Sequence, residues 1–383
     1  MRECVSVWKD FDVSSHRGAH AMSAMPGRWR PAVITLGAAL LLAGACAKAE
    51  DGGTSTAGRS DPSAGAQVVQ SAAPGAKTCT LEQFGGQKID LKTAKIGFSQ
   101  SEKEANPFRI AETQSMKDEA AKRGIPAGNL RTTNANSQFN KQISDVEQMI
   151  DSGVQLLVVA PLNSDGWDSV FAKASAKKVP IITIDRRINA TSCADYLTFI
   201  GSDFEEQGKR AADKMAAALG NKGSVAILLG APGNNVTTLR TKGFKDQIAK
   251  VAPGITIVFE QTGQFSREEG QKVTEQLLQS HSAINGIYAE NDEMALGAQV
   301  ALKGAGKRKG EVKIVSIDGT RGAVQAIADG WIHAVIESNP RFGPLAFETA
   351  TKFFAGEPIP SDIIISDREY DESNAKTDLN SAY

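Results

Sequence analysis

Polar and charged residues follow directly after several apolar, β-branched runs. Asp185-Arg186 follows 181–184, Asn291-Asp292 lies just beyond 286–289, and Asp318 comes just after 312–316. A further run, 94–99, ends in Ser99-Gln100 and opens toward Asn106-Pro107-Phe108-Arg109. These side chains can donate, accept and stack, yet no nucleophile stands beside a base, so they suit binding better than catalysis. The ligand they suit is one rich in hydroxyls. A hydroxyl donates and accepts at once, and an adjacent Asp and Arg satisfy it from both sides with charge-assisted bonds. The apolar C–H faces of such a ring match aromatic faces such as Phe108 and Phe265. Singly, each residue has a structural reading as an ion pair, an N-cap or a turn residue. Jointly, at several strand ends, the reading as a binding site is the better one.

The elements that must position them are legible as an alternation. Strand-like runs occur at 94–99, 156–160, 181–184, 197–200, 224–229, 255–260, 286–289, 312–316 and 333–337. Between them, 109–123, 138–152, 204–219, 236–251, 267–280, 294–305 and 341–354 carry apolar residues at three- and four-residue spacing, which predicts helices. Strands that are apolar throughout and separated by helices predict parallel sheets covered on both faces. So many strands divide better between two sheets, giving an α/β fold of two doubly wound parallel-sheet lobes with a first crossing at Gly201-Ser202-Asp203. In such sheets ligands bind beyond the carboxyl ends of the strands, where the polar residues above fall.

The first 90 residues are of another kind. Arg28, Trp29 and Arg30 precede an apolar run, 31–45, shorter than the roughly 20 residues a membrane-spanning helix needs, which predicts an export signal. Met22 and Met25 are alternative starts. The small residues before Cys46 resemble the bacterial lipoprotein cleavage box, making Cys46 the candidate lipidated residue and the mature protein extracytoplasmic and membrane-anchored. An ordinary secretory signal is the alternative. Residues 47–90 are expected to be a flexible linker, because 47–76 are rich in Ala, Gly, Ser, Thr and Asp and nearly free of large apolar side chains. A net charge of −1 gives no ground for a nucleic-acid partner and favours a neutral ligand. Cys79 and Cys193 remain as a candidate disulfide, although the sequence does not show that they meet. Only His281 and His333 lie beyond the leader, and no metal-ligand spacing occurs.

From Lys95 to Tyr383 the chain resembles the periplasmic sugar-binding proteins of ABC transporters, in particular the galactofuranose-binding type. The residues that carry the resemblance are Gly97-Phe98-Ser99-Gln100, Arg109 with Ala111-Glu112-Thr113, Ala160-Pro161 with Gly166-Trp167, and Asp185-Arg186. They continue with Thr262-Gly263, Phe265-Ser266-Arg267, Asn291-Asp292-Glu293-Met294 and Ser316-Ile317-Asp318-Gly319. The resemblance implies a type I periplasmic-binding-protein fold whose lobes close on one monosaccharide by hinge bending. It places an N-terminal lobe at 91–202 plus 338–366 and a C-terminal lobe at 203–337 plus 367–383. It puts sugar contacts on Phe108, Arg109, Asp185, Arg186, Arg240, Phe265, Asn291, Asp318 and Glu337, beside the strand-end candidates Ser99 and Gln100. Its implied partners are a monosaccharide and a membrane permease, with a monomeric, cofactor-free, non-enzymatic protein. The loop 101–107 departs from the galactofuranose type and carries the Asn-Pro-Phe of ribose binders, and Phe108 stands where that type has tryptophan.

Two other classes were weighed. A dinucleotide-dependent enzyme would need a G-x-G-x-x-G turn after the first strand, which is Ser99-Gln100 here, and no G-x-x-x-x-G-K-S/T loop follows any strand. Gly230-Ala231-Pro232-Gly233 follows a strand, but Pro232 lacks the amide a phosphate cradle needs. A sugar-sensing protein that presents its ligand to a membrane sensor stays open.

Overall fold

The computed structural model describes residues 70–383, and the signal, Cys46 and the first part of the expected linker lie outside the described residues. Two sheets organise the chain. In the first, Leu130–Asn134, Ile96–Gln100, Leu156–Val159, Ile181–Ile184 and Thr198–Ser202 run parallel in that spatial order. In the second, Gly254–Thr262, Lys222–Leu229, Gly286–Ala289, Lys313–Asp318 and Ala334–Glu337 repeat the same arrangement. Each sheet therefore places its second strand outside its first and its third on the other side, the doubly wound order 2-1-3-4-5. The strands Leu156–Val159, Ile181–Ile184 and Gly286–Ala289 are buried at every residue, as burial on both faces demands.

The chain passes between the sheets three times. After Thr198–Ser202 it enters the helix Phe204–Leu219, which packs on the second sheet. After Ala334–Glu337 it returns to the helix Gly343–Ala355, whose first amide donates to Ser115 Oγ at 3.0 Å on the helix Pro107–Lys122. Finally Asp362–Ile365 runs parallel to Thr198–Ser202 in the first sheet, and Glu369–Asp371 pairs antiparallel with Ala334–Glu337 in the second.

Residues 70–90 correct the expected linker. Gln70–Ala72 pairs antiparallel with Asp362–Ile365, and Thr78–Cys79 pairs with Ile359–Pro360. Cys79 forms a disulfide with Cys193, and Leu81 and Leu91 join the core of the first lobe. Backbone pairing and two leucines anchor this stretch where its overall composition suggested none.

The sequence reading also passed over the strand Leu130–Asn134 and the helices Asp168–Lys177 and Arg321–Ala328. Leu130–Asn134 is an edge strand, half-exposed and containing Arg, two Thr and Asn, so it lacks the apolar run of its neighbours.

Candidate functional site

The cleft wall is built from strand ends and first helical turns. Asn106 caps the helix Pro107–Lys122, accepting from Phe108 N at 2.9 Å, and Pro107 stands at its first position. That start fixes Phe108 and Arg109 at the carboxyl end of the first sheet. The strand Ile181–Ile184 stops at Asp185, whose φ of 63° is left-handed, a conformation Asp tolerates better than most residues. The bend leaves Asp185 and Arg186 buried over the sheet end.

Four side chains of the first lobe form a ring of alternating charge. Arg109 donates through Nη1 to Asp185 Oδ2 at 2.7 Å and through Nε to Glu102 Oε2 at 3.1 Å. Arg186 Nη2 donates to Glu102 Oε1 at 2.7 Å, and its Nε lies 3.6 Å from Asp185 Oδ2. Burial alone would push the Glu102 carboxyl up, but Arg186 and Arg109 together outweigh it and hold the group at about 2. Arg109 also bonds Glu112 at 2.8 Å, and burial raises that carboxyl to about 7.

The second lobe answers with Arg240, Phe265, Asn291 and Asp318. Asn234 caps the helix Asn235–Val251 through the amides of Val236 and Thr237, and Arg240 follows on its buried face. Arg240 donates to Glu290 O at 2.6 Å and to Gln207 Oε1 at 2.9 Å, while Nη2 stands 3.5 Å from Asp318 Oδ1. Burial pushes the Asp318 carboxyl well above its usual range. Arg240 opposes the rise, and Asp292 and Asp185 add to it. Phe265, at φ 56°, lays its ring where Gly230 has no side chain, for a Cβ there would fall 2.0 Å from a ring carbon. Asn291 caps the helix Asp292–Gly304 and donates to Phe265 O at 3.2 Å. Asp292 is structural, accepting from Ser316 Oγ and from the amides of Gly319 and Thr320, which sets the turn that holds Asp318.

The lobes meet around a small, partly open cavity lined by Glu102, Asn106, Phe108, Arg109, Asp185, Arg186, Val236, Arg240, Phe265, Asn291 and Asp318. Across the rim Ser164 N donates to Gly233 O at 3.0 Å and Arg187 N to Asn235 Oδ1 at 2.9 Å. The guanidinium carbon of Arg186 stands 5.8 Å from the Phe265 ring centroid on the facing lobe. The wall carries three arginines and three carboxylates, so its formal charge is balanced. Arg186 Nε is buried without a hydrogen-bond partner, 3.6 Å from Asp185 Oδ2.

Eight of the eleven expected contact residues line this cavity, and three stand behind or beside it. Ser99 Oγ accepts from Gln142 at 3.2 Å, and Gln100 donates to Glu112 at 2.8 Å and Thr113 at 3.2 Å. Glu337 accepts from Arg368 N at 3.1 Å where the chain crosses between sheets. The structure places these three outside the cavity lining, with polar atoms engaged by protein partners. Glu102, Asn106 and Val236 were not singled out as contacts. For Glu102 and Asn106 the signal was that 101–107 is the loop after the first strand, the place where such sheets bind; Val236, at the start of a helix, carried none.

The family model described as "Periplasmic binding protein domain" matches residues 96–358. The chain belongs to the periplasmic binding protein family. It is 32% identical over 278 residues to the galactofuranose-binding protein YtfQ of Escherichia coli, covering 71% of this chain and 85% of that protein. It is 34% identical to the ribose import binding protein RbsB of Bacillus subtilis, covering 67% and 81%. Among solved structures, a Mycobacterium smegmatis protein in complex with β-D-fucofuranose matches at 35% identity and a TM-score of 0.71, covering 74% of this chain and 93% of that one. The arabinose transporter component of Shewanella, bound to L-arabinofuranose, matches at 32% and 0.71, covering 74% and 94%. The two-lobed parallel-sheet architecture is the type I fold of this family.

Proposed function

We propose that this protein is an extracytoplasmic, lipid-anchored binding protein that captures one monosaccharide between its lobes and delivers it to the permease of an ABC importer. The observation that carries the reading is the cavity of balanced formal charge between the lobes. Its first-lobe ring of Glu102, Arg109, Asp185 and Arg186 faces Arg240, Phe265, Asn291 and Asp318. Paired acids and guanidiniums present donors and acceptors to a neutral polyol, and Phe108 and Phe265 offer apolar faces from opposite lobes. A sugar touching both lobes favours the closed arrangement because only differential affinity shifts such an equilibrium. The furanose ligands of two solved relatives make five-membered-ring sugars the first class to test.

The test is calorimetric titration of the exported protein with galactose, ribose, arabinose, xylose, fructose, inositol and galactofuranose-releasing sources. The expected result is one-to-one binding of one sugar, lost in Asp185→Ala. Absence of binding by folded protein across the panel overturns the reading. A second reading, presentation of sugar to a membrane sensor, is favoured by the likeness to the fructose-binding domain of a hybrid two-component system, at 25% identity and a TM-score of 0.68. Uptake of labelled sugar by a deletion strain separates the two: transport requires the protein, sensing alone does not.

A further inference from the structure

All three crossings between the sheets meet at one buried side chain pair. Gln207, 1% exposed, donates through Nε2 to Asp367 Oδ2 at 2.7 Å and to Glu337 O at 3.3 Å. Asp367 Oδ1 accepts from Ser202 Oγ at 3.0 Å. Ser202, Glu337 and Asp367 belong to the first, second and third crossing respectively. The other end of the same amide, Oε1, accepts from Arg240 Nε in the cavity wall at 2.9 Å. The amide has one usable orientation here, since turning it would aim NH₂ at a guanidinium and a carbonyl at a carboxylate.

We propose that Gln207 is a positioning residue that couples the ligand cavity to the crossings, holding Arg240 in the wall while the crossings keep the lobes closed. Hinge opening changes backbone torsions in a few such segments and would pull Ser202, on the first sheet, and the Asp367 it bonds away from the helix that bears Gln207 on the second. A buried amide that loses partners there is destabilised, and its grip on Arg240 loosens with it. Coupling is reciprocal, so a ligand that fixes Arg240 favours the closed crossings by the same factor. The ligand half of this inference rests on the sugar-binding reading, and the crossing half does not.

The test uses the full chain with spin labels on ketone-bearing amino acids at exposed Lys117 and Lys272, one on each lobe. Pulsed electron resonance then reads the interlobe distance without ligand, and titration with L-arabinose reads affinity. Gln207→Leu is expected to shift the distances toward longer values with an unchanged circular dichroism spectrum. It is also expected to weaken L-arabinose at least about tenfold, with little further loss, under about threefold, when combined with Arg240→Ala. A wild-type distance distribution, or full additivity with Arg240→Ala, overturns the proposal. Should Gln207→Leu fail to fold, Gln207→Met carries the same two readings. Should the wild-type protein not bind L-arabinose, the sugar reading has failed for that sugar and the distance distribution alone decides the role of Gln207.

Discussion

Glu102 and Arg186 are joined at 2.7 Å through Oε1 and Nη2, and the second oxygen of the same carboxylate reaches Arg109 at 3.1 Å. One loop residue thus orients two guanidiniums that issue from different elements, a helix start and a strand end. Held at about 2, the carboxyl stays ionised at any physiological pH. Glu102→Ala is expected to weaken sugar binding at least about tenfold, because both arginines lose a charged partner in a largely dry wall. Calorimetry checks it, and wild-type affinity would show that Asp185 and Glu112 suffice to hold the pair.

Asp185 separates charge from backbone geometry. Asp185→Asn keeps a residue that tolerates φ near 63°, whereas Asp185→Ala loses both the charge and that tolerance. Both variants are expected to lose roughly 2 to 5 kcal/mol of binding free energy, since Arg109 loses a 2.7 Å acceptor and Arg186 a carboxylate 3.6 Å away. Only Asp185→Ala should also lower the melting temperature appreciably. Equal melting temperatures for the two variants would show that alanine adopts the left-handed backbone here at no cost.

Gly230 tests the aromatic wall without altering a charged residue of the cavity. A Cβ there would fall 2.0 Å from the Phe265 ring and 2.6 Å from Thr237 Oγ1, so Gly230→Ala must displace the ring. Affinity is expected to fall several-fold in Gly230→Ala, and to change little when the same substitution is made in Phe265→Ala. Titration of the two single variants and the double variant decides it. An undiminished effect in the double variant would place the damage at Thr237.

These residues differ in how far the sequence announced them. Asp185, Asn291 and Asp318 stand just beyond apolar runs, so the doubly wound pattern alone put them at the cleft. Arg240 lies on a helix and reads locally as surface. Its burial depends on Gln207 and Glu290 from elements far along the chain, visible in the sequence only through family resemblance. Ser99, Gln100 and Glu337 sit at the right ends of the right strands, yet their polar atoms are engaged by Gln142, Glu112 and Arg368. Strand alternation tells which end of a sheet a residue occupies. It does not tell which polar neighbour claims the side chain.

The Cys79–Cys193 bridge ties the early segment, which composition made a linker, to the first lobe across a separation of 114 residues. Closing so long a loop constrains the unfolded chain, and removing such a bridge costs about 2 to 5 kcal/mol. Cys79→Ser with Cys193→Ser is therefore expected to lower the denaturant midpoint while leaving sugar affinity within about twofold, because neither cysteine lines the cavity. An equal midpoint, measured by chemical unfolding, would show the early pairing to be marginal.

Five buried carboxyls bear on the pH dependence of stability, among them Asp318, which burial pushes well above its ordinary range. Burial raises Glu112, Glu290 and Asp367 to about 7, and Asp292 to about 6, from ordinary values of 4.5 or 3.8. A carboxyl raised in the folded state binds its proton more tightly there than in the unfolded chain. Its contribution is fully present below the ordinary value and is lost as pH rises through 6 to 7. Glu102, held at about 2, works in the opposite sense, and its contribution is lost only as pH falls below its ordinary 4.5 toward 2. The melting temperature of the ligand-free protein should therefore decline from about pH 5 to about pH 8. Glu290→Gln should flatten that decline, since an amide reproduces the protonated acid toward Gly230 N and Thr241 Oγ1. Melting curves across the range decide it: a midpoint that rises with pH would mean that these acids are ionised and paired in the folded protein.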